Sequence, residues 1–217
     1  MKVYIRNIIV LILIITSLFI TSCGKLSKSY CEEILNLSYT NNDSLIEYNI
    51  SEAKKCSEKY HKRPEFLQKI SQIYYYNAIN DYASEEPLYN KHLSSAKKLF
   101  ASLDYINSYF NKAEEIKSYD YQFRGEIYER LGDIYKDINS LKPATELYDK
   151  ALSNYELANN NEKILNTLIK TGKLYQYNHI PEIAMIYFEM AEERENIPNN
   201  IYRKIIDNKI VTLYELN

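Results

Sequence analysis

The sequence predicts an all-α fold built from antiparallel helical hairpins. From about residue 30 onward, apolar residues recur at intervals of three and four, the spacing that places them on one face of a helix. Only four glycines occur in 217 residues, too few for the turns of an all-β fold. A pattern of small and aromatic residues is also written twice, 40 residues apart. Such internal similarity is typical of stacked repeats.

The first residues carry a membrane-targeting pattern. Lys2 and Arg6 precede an apolar run from Ile8 to Ile20. The run of about 13 residues is too short for a helix that spans a bilayer core of roughly 30 Å. It therefore predicts a signal peptide.

The signal peptide closes on Ile20-Thr21-Ser22-Cys23, an aliphatic residue and two small ones before a cysteine. These four residues resemble the bacterial lipobox. The resemblance implies a diacylglyceryl group on the Cys23 sulfur, cleavage after Ser22 and acylation of the new amino terminus. The mature protein would then carry three acyl chains, more than the two membrane-binding groups that stable anchoring requires. The residue after the cysteine is Gly24 rather than aspartate, which favours an outer membrane if the cell has one. The alternatives are an uncleaved anchor and an ordinary signal peptide with an incidental cysteine.

A polar tether over residues 23–29 leads to the first predicted hairpin. One helix is expected over 29–38 and a second from Asp43, as its N-cap, to Tyr60. Cys31 and Cys56 lie on opposite helices, about equally far from the bend. An exported protein is found where disulfides persist, so the sequence allows a Cys31–Cys56 bridge. The alternative is two buried thiols.

The next two helices are predicted over 65–83 and 87–116, each introduced by a proline. The second of them contains an imperfect copy of the repeat. There Ala96, Phe100 and Leu103 reproduce the spacing of small and aromatic residues, with leucine in the last position.

The two clear repeats occupy predicted helices at 121–137, 141–158, 162–176 and 180–193. Gly132 is followed by Ala144, Tyr148 and Ala151, and the same spacings recur in Gly172, Ala184, Phe188 and Ala191. A small residue in one helix and two alanines around an aromatic in the next let two helices approach closely.

This order of residues resembles the tetratricopeptide repeat (TPR), a helix-turn-helix unit of about 34 residues. The resemblance covers roughly Ile73 to Pro198 and implies a helical solenoid. The six surplus residues of each 40-residue unit lie around Asn159, Asn160 and Asn161.

A final helix is predicted over 201–216, as a cap that shields the last repeat. Its expected inward face consists of Ile205, Ile206, Ile210, Leu213 and Tyr214. The chain thus divides into a cleaved signal peptide at 1–22, a lipidated tether at 23–29 and a TPR-like solenoid at 30–217.

The sequence shows no pattern typical of an enzyme. His61, His92 and His179 are far apart, and neither an HExxH nor a CxxC spacing occurs. We therefore expect no catalytic residues, no metal site and no cofactor. With 27 basic and 29 acidic residues, the net charge of −2 predicts no affinity for nucleic acid.

In the TPR family the first helix of each pair lines the concave surface, where ligands usually dock. The matching positions form an acidic stripe on one helix, made of Glu126, Glu129, Asp133 and Asp137. The next first helix carries a basic and aromatic stripe, made of Lys170, Lys173 and Tyr177. These seven residues are a candidate groove for a peptide or a partner helix. Alternatively, the two stripes neutralise one another across neighbouring helices.

The function that these observations predict is protein binding at a membrane. The chain is expected to be a lipoprotein of the bacterial cell envelope, anchored through Cys23, that acts as a scaffold or adaptor. The alternative is a helical ligand-binding receptor or an envelope enzyme. A third hypothesis is a truncated part of a larger regulator, against which the predicted capping helix argues.

The 23 tyrosines fit either the codon bias of an AT-rich genome or an aromatic recognition surface.

Overall fold

The computed structural model describes residues 27–37, 42–84 and 87–216. Within these ranges every regular element is an α-helix, which confirms the all-α prediction. The predicted signal peptide and Cys23 lie outside the described residues. The helices, in chain order, are α1 (Lys28–Leu35), α2 (Asp43–Lys59), α3 (Glu65–Tyr82), α4 (Leu88–Phe110), α5 (Ser118–Asp137), α6 (Leu141–Leu157), α7 (Asn161–Tyr177), α8 (Pro181–Glu192) and α9 (Asn199–Leu216).

Consecutive helices pack as antiparallel neighbours. The most extensive pairs are α3 with α4, α5 with α6, and α7 with α8, and α9 packs against α8 and α7. Within the α5–α6 pair, Gly125 faces Tyr155 near one end and Gly132 faces Tyr148 near the other. Because the later residue of α5 meets the earlier residue of α6, the two helices run in opposite directions.

Each repeat glycine lies where two helices approach closely. A methyl group added at Gly132 would lie 2.6 Å from the Tyr148 ring, and one at Gly172 would lie 2.5 Å from the Phe188 ring. Both rings are fully buried. The pairing of glycine with an aromatic residue, which the two clear repeats predict, is therefore present in the α5–α6 and α7–α8 hairpins.

The α3–α4 hairpin closes by a different chemistry. Ser71 and Ser102, both buried, donate hydroxyl hydrogen bonds to each other's backbone carbonyls at 2.7 and 2.8 Å. Ser95 donates to the carbonyl of Ala78 at 2.8 Å. Phe100, which takes the aromatic position of the imperfect repeat, does not fill the space between these helices, because its side chain is 43% exposed. Small hydroxyl side chains bring these two helices together, and the aromatic ring points outward.

Asparagine and histidine replace glycine at the helix ends. Asn139, Asn159 and His179 have φ values of 56°, 55° and 57°, the left-handed conformation in which helices commonly terminate. In each case the following residue donates its backbone N–H to the carbonyl of a tyrosine five residues earlier, at 2.8 to 3.0 Å. The chain therefore makes three equivalent turns, 20 residues apart, with no glycine.

Several predicted boundaries differ from the structure, among them the end of α1, which lies at Leu35 rather than at residue 38. Helix α4 ends at Phe110 rather than near residue 116, because Ala113 and Ile116 fold back against the core between α3, α4 and α5. The N-cap of α2 is Asn42 rather than Asp43, and its side chain accepts a hydrogen bond from the Leu45 N–H at 3.1 Å.

A disulfide joins α1 to α2, and polar contacts tie α1 and the residues after it to α3 and to the turn before it. Cys31 and Cys56 form a disulfide, with 5.7 Å between their Cα atoms. Arg63 forms an ion pair with Glu32 of α1. The buried Lys69 of α3 donates to the backbone carbonyl of Leu37 at 2.5 Å.

The last helix covers the repeat with a different face from the one predicted. Ile201, Ile205 and Thr212 of α9 are buried. Ile210 and Leu213 are each 49% exposed and Tyr214 is 82% exposed, so their predicted inward placement is wrong. Among the described residues, no helix is both long enough and apolar enough to cross a bilayer.

Candidate protein-binding surface

Helices α5 and α7 meet through a charged network centred on Lys170. Its Nζ lies 2.5 Å from a Glu129 carboxylate oxygen and 3.0 Å from Asp133. Asp133 is buried, and the other two side chains are largely shielded from water. The acidic stripe on α5 and the first basic residue on α7 therefore meet each other inside the helix stack.

Two tyrosines complete the network from α6. Tyr148 donates its hydroxyl to Asp133 at 2.8 Å, and Tyr155 donates to Glu129 at 2.6 Å. Each carboxylate thus accepts from one hydroxyl and from the ammonium of Lys170. Charge-assisted hydrogen bonds of this kind are about twice as strong as neutral ones.

The network shifts the protonation of its members. Burial alone would raise the pKa of the Glu129 carboxyl, but Lys170 and Tyr155 outweigh it and hold this pKa below its ordinary value. Burial acts to lower the pKa of Lys170, and Asp133 with Glu129 outweighs it, so that pKa is raised. Burial, followed by the neighbouring carboxylate, raises the pKa of both tyrosines. All three kinds of shift favour a salt-bridged core with neutral tyrosines at neutral pH.

The two other acidic residues of the stripe also have partners. Glu126 accepts a hydrogen bond from Gln122 at 3.1 Å and lies 3.5 Å from Lys163 of α7. Asp137 accepts the Tyr82 hydroxyl at 2.5 Å and lies 3.6 Å from Nε2 of His92. His92 is buried and stacks on the Tyr82 ring, with 5.4 Å between centroids. Asp137 thus joins α5 to the α3–α4 hairpin.

The predicted groove residues therefore separate into two groups. Glu126, Glu129 and Asp133 lie between helices, where they neutralise lysines of α7, as the alternative interpretation of the stripes expects. Asp137, Lys170, Lys173 and Tyr177 border a cavity of about 460 Å³. The structure brings these four together, and the other three lie outside the cavity lining.

The cavity is formed by the end of α5, the start of α6 and the end of α7. Its lining combines charged, amide and apolar groups from Lys136, Asp137, Asn139, Leu141, Lys170, Lys173, Leu174, Tyr177 and Asn178. We call it the α5–α7 cavity. Tyr177 stands at its border with a side chain that is 75% exposed.

Positive charge at the α5–α7 cavity is only partly compensated. Lys136 lies 3.3 Å from Asp137, and Lys170 is committed to the buried carboxylates. Lys173 is exposed and forms no ion pair with any residue in the described part of the chain. The site therefore offers one uncommitted ammonium beside an exposed phenol ring, a combination suited to a carboxylate and an apolar or aromatic side chain of a partner.

Tyrosine–carboxylate pairs are a feature that the sequence interpretation missed. Besides the three pairs already described, they are Tyr30 with Glu52, Tyr109 with Asp120 and Tyr187 with Asp149. A signal was available within the α5–α6 hairpin, because the members of each pair there are placed nearly symmetrically about the bend near residue 140. Pairs between different hairpins carry no such signal.

Known metal-site patterns are absent from the residues that the structure describes: these ranges contain no group of three or more histidine, cysteine, aspartate or glutamate side chains placed to hold a metal ion.

Comparison with known proteins leaves the family open. No protein-family model matches the chain, and no curated protein matches it in sequence. Among solved structures it is similar to the crystal structure of BtubC (BKLC) from P. vanneervenii, at 12% identity over 86% of this chain and 84% of that one. The TM-score is 0.40, and a likeness this distant carries no argument about function.

Proposed function

We propose that this protein is a lipid-anchored scaffold of the bacterial cell envelope that binds another protein at the α5–α7 cavity. The observation that carries the binding role is the uncommitted Lys173 beside the exposed Tyr177. Interfaces are enriched in aromatic residues, and a charge at the rim sets register and association rate.

The architecture proposed is a TPR-like solenoid. Its support is the glycine–aromatic contact at the same place in two successive hairpins, together with the order of close neighbours along the chain. In such a stack the ends of neighbouring first helices create open clefts, and the α5–α7 cavity has this position.

The anchor rests on sequence alone. Residues 20–23 resemble the lipobox, and the short polar tether places the first helix close to the membrane surface. An extended chain spans at most about 3.6 Å per residue. The four residues between Cys23 and Lys28 therefore allow α1 to stand no more than roughly 20 Å from the lipid. Because Gly24 follows the cysteine, the outer membrane is the proposed location in a cell that has one.

The experiment is affinity capture from detergent-solubilised membranes after crosslinking in cells. Wild type, Lys173→Glu and Lys97→Glu are compared at equal expression. Lys97 is an exposed lysine of α4, far along the chain from the cavity, and is the matched control. We expect one stoichiometric protein with wild type and Lys97→Glu, and its loss with Lys173→Glu. The binding site proposed here is wrong if all three forms recover the same protein equally.

A small-molecule receptor is the second candidate, and the size of the cavity favours it. Ligand pockets usually have volumes of about 300–1,000 Å³, and the α5–α7 cavity has about 460 Å³. A thermal-shift screen of small anionic metabolites against wild type and Lys173→Glu separates the two functions. Stabilisation of wild type alone, without any captured protein, would favour the receptor.

A further inference from the structure

Helix α9 presents an apolar stripe on the side turned away from its own chain. The stripe consists of Tyr202, Ile206, Ile210 and Tyr214, each four residues after the one before. The opposite side of the helix, which carries Ile205, is buried against α7 and α8. Tyr202, Ile210 and Tyr214 are exposed and Ile206 is half-buried. The stripe thus lacks a covering partner within the described part of the chain.

The stripe is symmetrical in sequence. Residue 208 is its midpoint, with an isoleucine two positions away on each side and a tyrosine six positions away on each side. If a second α9 approaches in the opposite direction about a two-fold axis at residue 208, each tyrosine meets a tyrosine and each isoleucine meets an isoleucine. A surface that complements itself in this way is the requirement for a two-fold dimer interface.

We propose that the protein self-associates through α9, with two copies packed antiparallel by this stripe. Residues spaced by four form the ridge that interdigitates in the commonest class of helix packing, at a crossing angle of about −50°. Tyrosines are enriched at protein interfaces, and the outermost one here, Tyr214, is 82% exposed. Arg203 and Asp207, four residues apart on one flank, carry opposite charges, so this flank adds no net charge to the contact.

We assign a second copy of the chain as the partner of this stripe, because the order of tyrosine and isoleucine is symmetrical about residue 208. A different partner needs no palindrome on this helix. Leu213, 49% exposed beside the stripe, adds to its apolar surface.

The oligomeric state of the detergent-solubilised full-length chain tests the proposal, by sedimentation velocity over a wide range of concentrations. Ile210 and Val211 are both 49% exposed, but they point about 100° apart around the helix. We expect wild type and Val211→Glu to form dimers, and Ile210→Glu to weaken the dimer at least tenfold. Circular dichroism verifies that both variants keep their helices. A wild-type monomer at every concentration would overturn the proposal.

Cysteine crosslinking in membranes tests the register even if Ile210→Glu fails to fold. Differently tagged copies carry either Tyr202→Cys or Tyr214→Cys, and mild oxidation is applied to cells that express one or both. The antiparallel arrangement predicts crosslinks between the two different variants and few between two copies of Tyr202→Cys. Equal crosslinking in every combination, or none in any, contradicts it.

Discussion

Lys170 is the residue on which the α5–α7 contact depends most. Among the described residues it is the one side chain that forms ion pairs with both Glu129 and Asp133, and each of those carboxylates also accepts a tyrosine hydroxyl. Removing the ammonium leaves each carboxylate with only a longer ion pair, from Lys163 to Glu129 at 3.7 Å and from Arg130 to Asp133 at 3.6 Å. Breaking a buried ion pair by loss of one partner is much more costly than never having had it.

Replacement of Lys170 by methionine should therefore lower the free energy of unfolding by about 2–3 kcal/mol. Lys173→Met is the matched control, because Lys173 is on the same helix, exposed and outside the ion-pair network. It should change stability by less than about 0.5 kcal/mol. Urea unfolding followed by circular dichroism measures both. Equal losses in the two variants would show that the network adds nothing to stability.

The lowered pKa of Glu129 predicts how the stability of the protein changes at acid pH. A carboxyl with a lower pKa in the folded state stabilises the fold at pH values above its unfolded pKa, and this contribution is lost as the pH falls through the folded pKa. Wild type should thus lose stability as the pH drops below 4.5, the ordinary value of a glutamate.

Glu129→Gln isolates that contribution. The variant should be less stable than wild type at pH 7 and closer to it at pH 3, because below the ordinary pKa the unfolded wild-type chain takes up a proton and the stabilising contribution diminishes. Urea unfolding at the two pH values gives the difference. A gap between the two proteins that stays constant with pH would contradict the assignment.

At the scale of the element, each clear hairpin closes through a glycine set against an aromatic ring. Gly172→Ala would place a methyl group 2.5 Å from the fully buried Phe188 ring. The overpacking lowers the free energy of unfolding by about 1–3 kcal/mol. The better helix propensity of alanine raises it by about 1 kcal/mol. We expect a net loss of up to about 2 kcal/mol.

The double variant Gly172→Ala with Phe188→Leu tests the cause. A smaller, flexible side chain leaves room for the methyl group, so the double variant should lose less stability than the sum of the two single ones. The coupling should exceed about 0.5 kcal/mol. Strict additivity would mean that the glycine has another role.

The hairpins illustrate how much of the fold the sequence could predict. Gly132 with Tyr148 and Gly172 with Phe188 were recognisable because a small residue and a ring recur at the same interval in both repeats. In α4 the repeat spacing does not indicate how the helix packs. Serine hydroxyls, which bond to backbone carbonyls across the helix pair, replace the ring there. Spacing alone does not distinguish an inward Phe100 from an outward one.

The candidate site was predictable only in part. Charge patterns identified α5 and α7 as the helices that carry it, but no helical projection shows whether Glu129 points into a cleft or toward a neighbouring helix. The outcome depends on the rotation and separation of the two hairpins. Those are set by contacts such as Lys170 with Glu129, which join residues 41 positions apart.

At the scale of the whole molecule, the tyrosines form bonds between helices. Six of them pair with carboxylates of the same or neighbouring hairpins across the described residues. These contacts offer a use for tyrosine that is distinct from both codon bias and a recognition surface. Among the tyrosines whose exposure is described, Tyr177 and Tyr214 are the most exposed, and they lie respectively at the cavity and on the outer stripe of α9.

The proposed membrane attachment gives a prediction for the intact protein. Cys23→Ala, supplied with a signal peptidase I site so that export continues, should move the protein from the membrane fraction to the soluble envelope fraction. Wild type should partition into detergent and yield an amino-terminal peptide that begins at Cys23 and carries acyl chains by mass spectrometry. An unmodified peptide that begins elsewhere would contradict the lipobox assignment.

The claim that this protein is a scaffold is tested most directly by a photocrosslinking residue at position 177 in living cells. Benzoylphenylalanine resembles the tyrosine that it replaces, and the same substitution at the exposed Tyr119, at the start of α5, is the control. If the partner binds at the α5–α7 cavity, we expect one discrete protein adduct from position 177. This adduct should be lost in Lys173→Glu and absent from position 119. No adduct from position 177, or the same adduct from both positions, would contradict it.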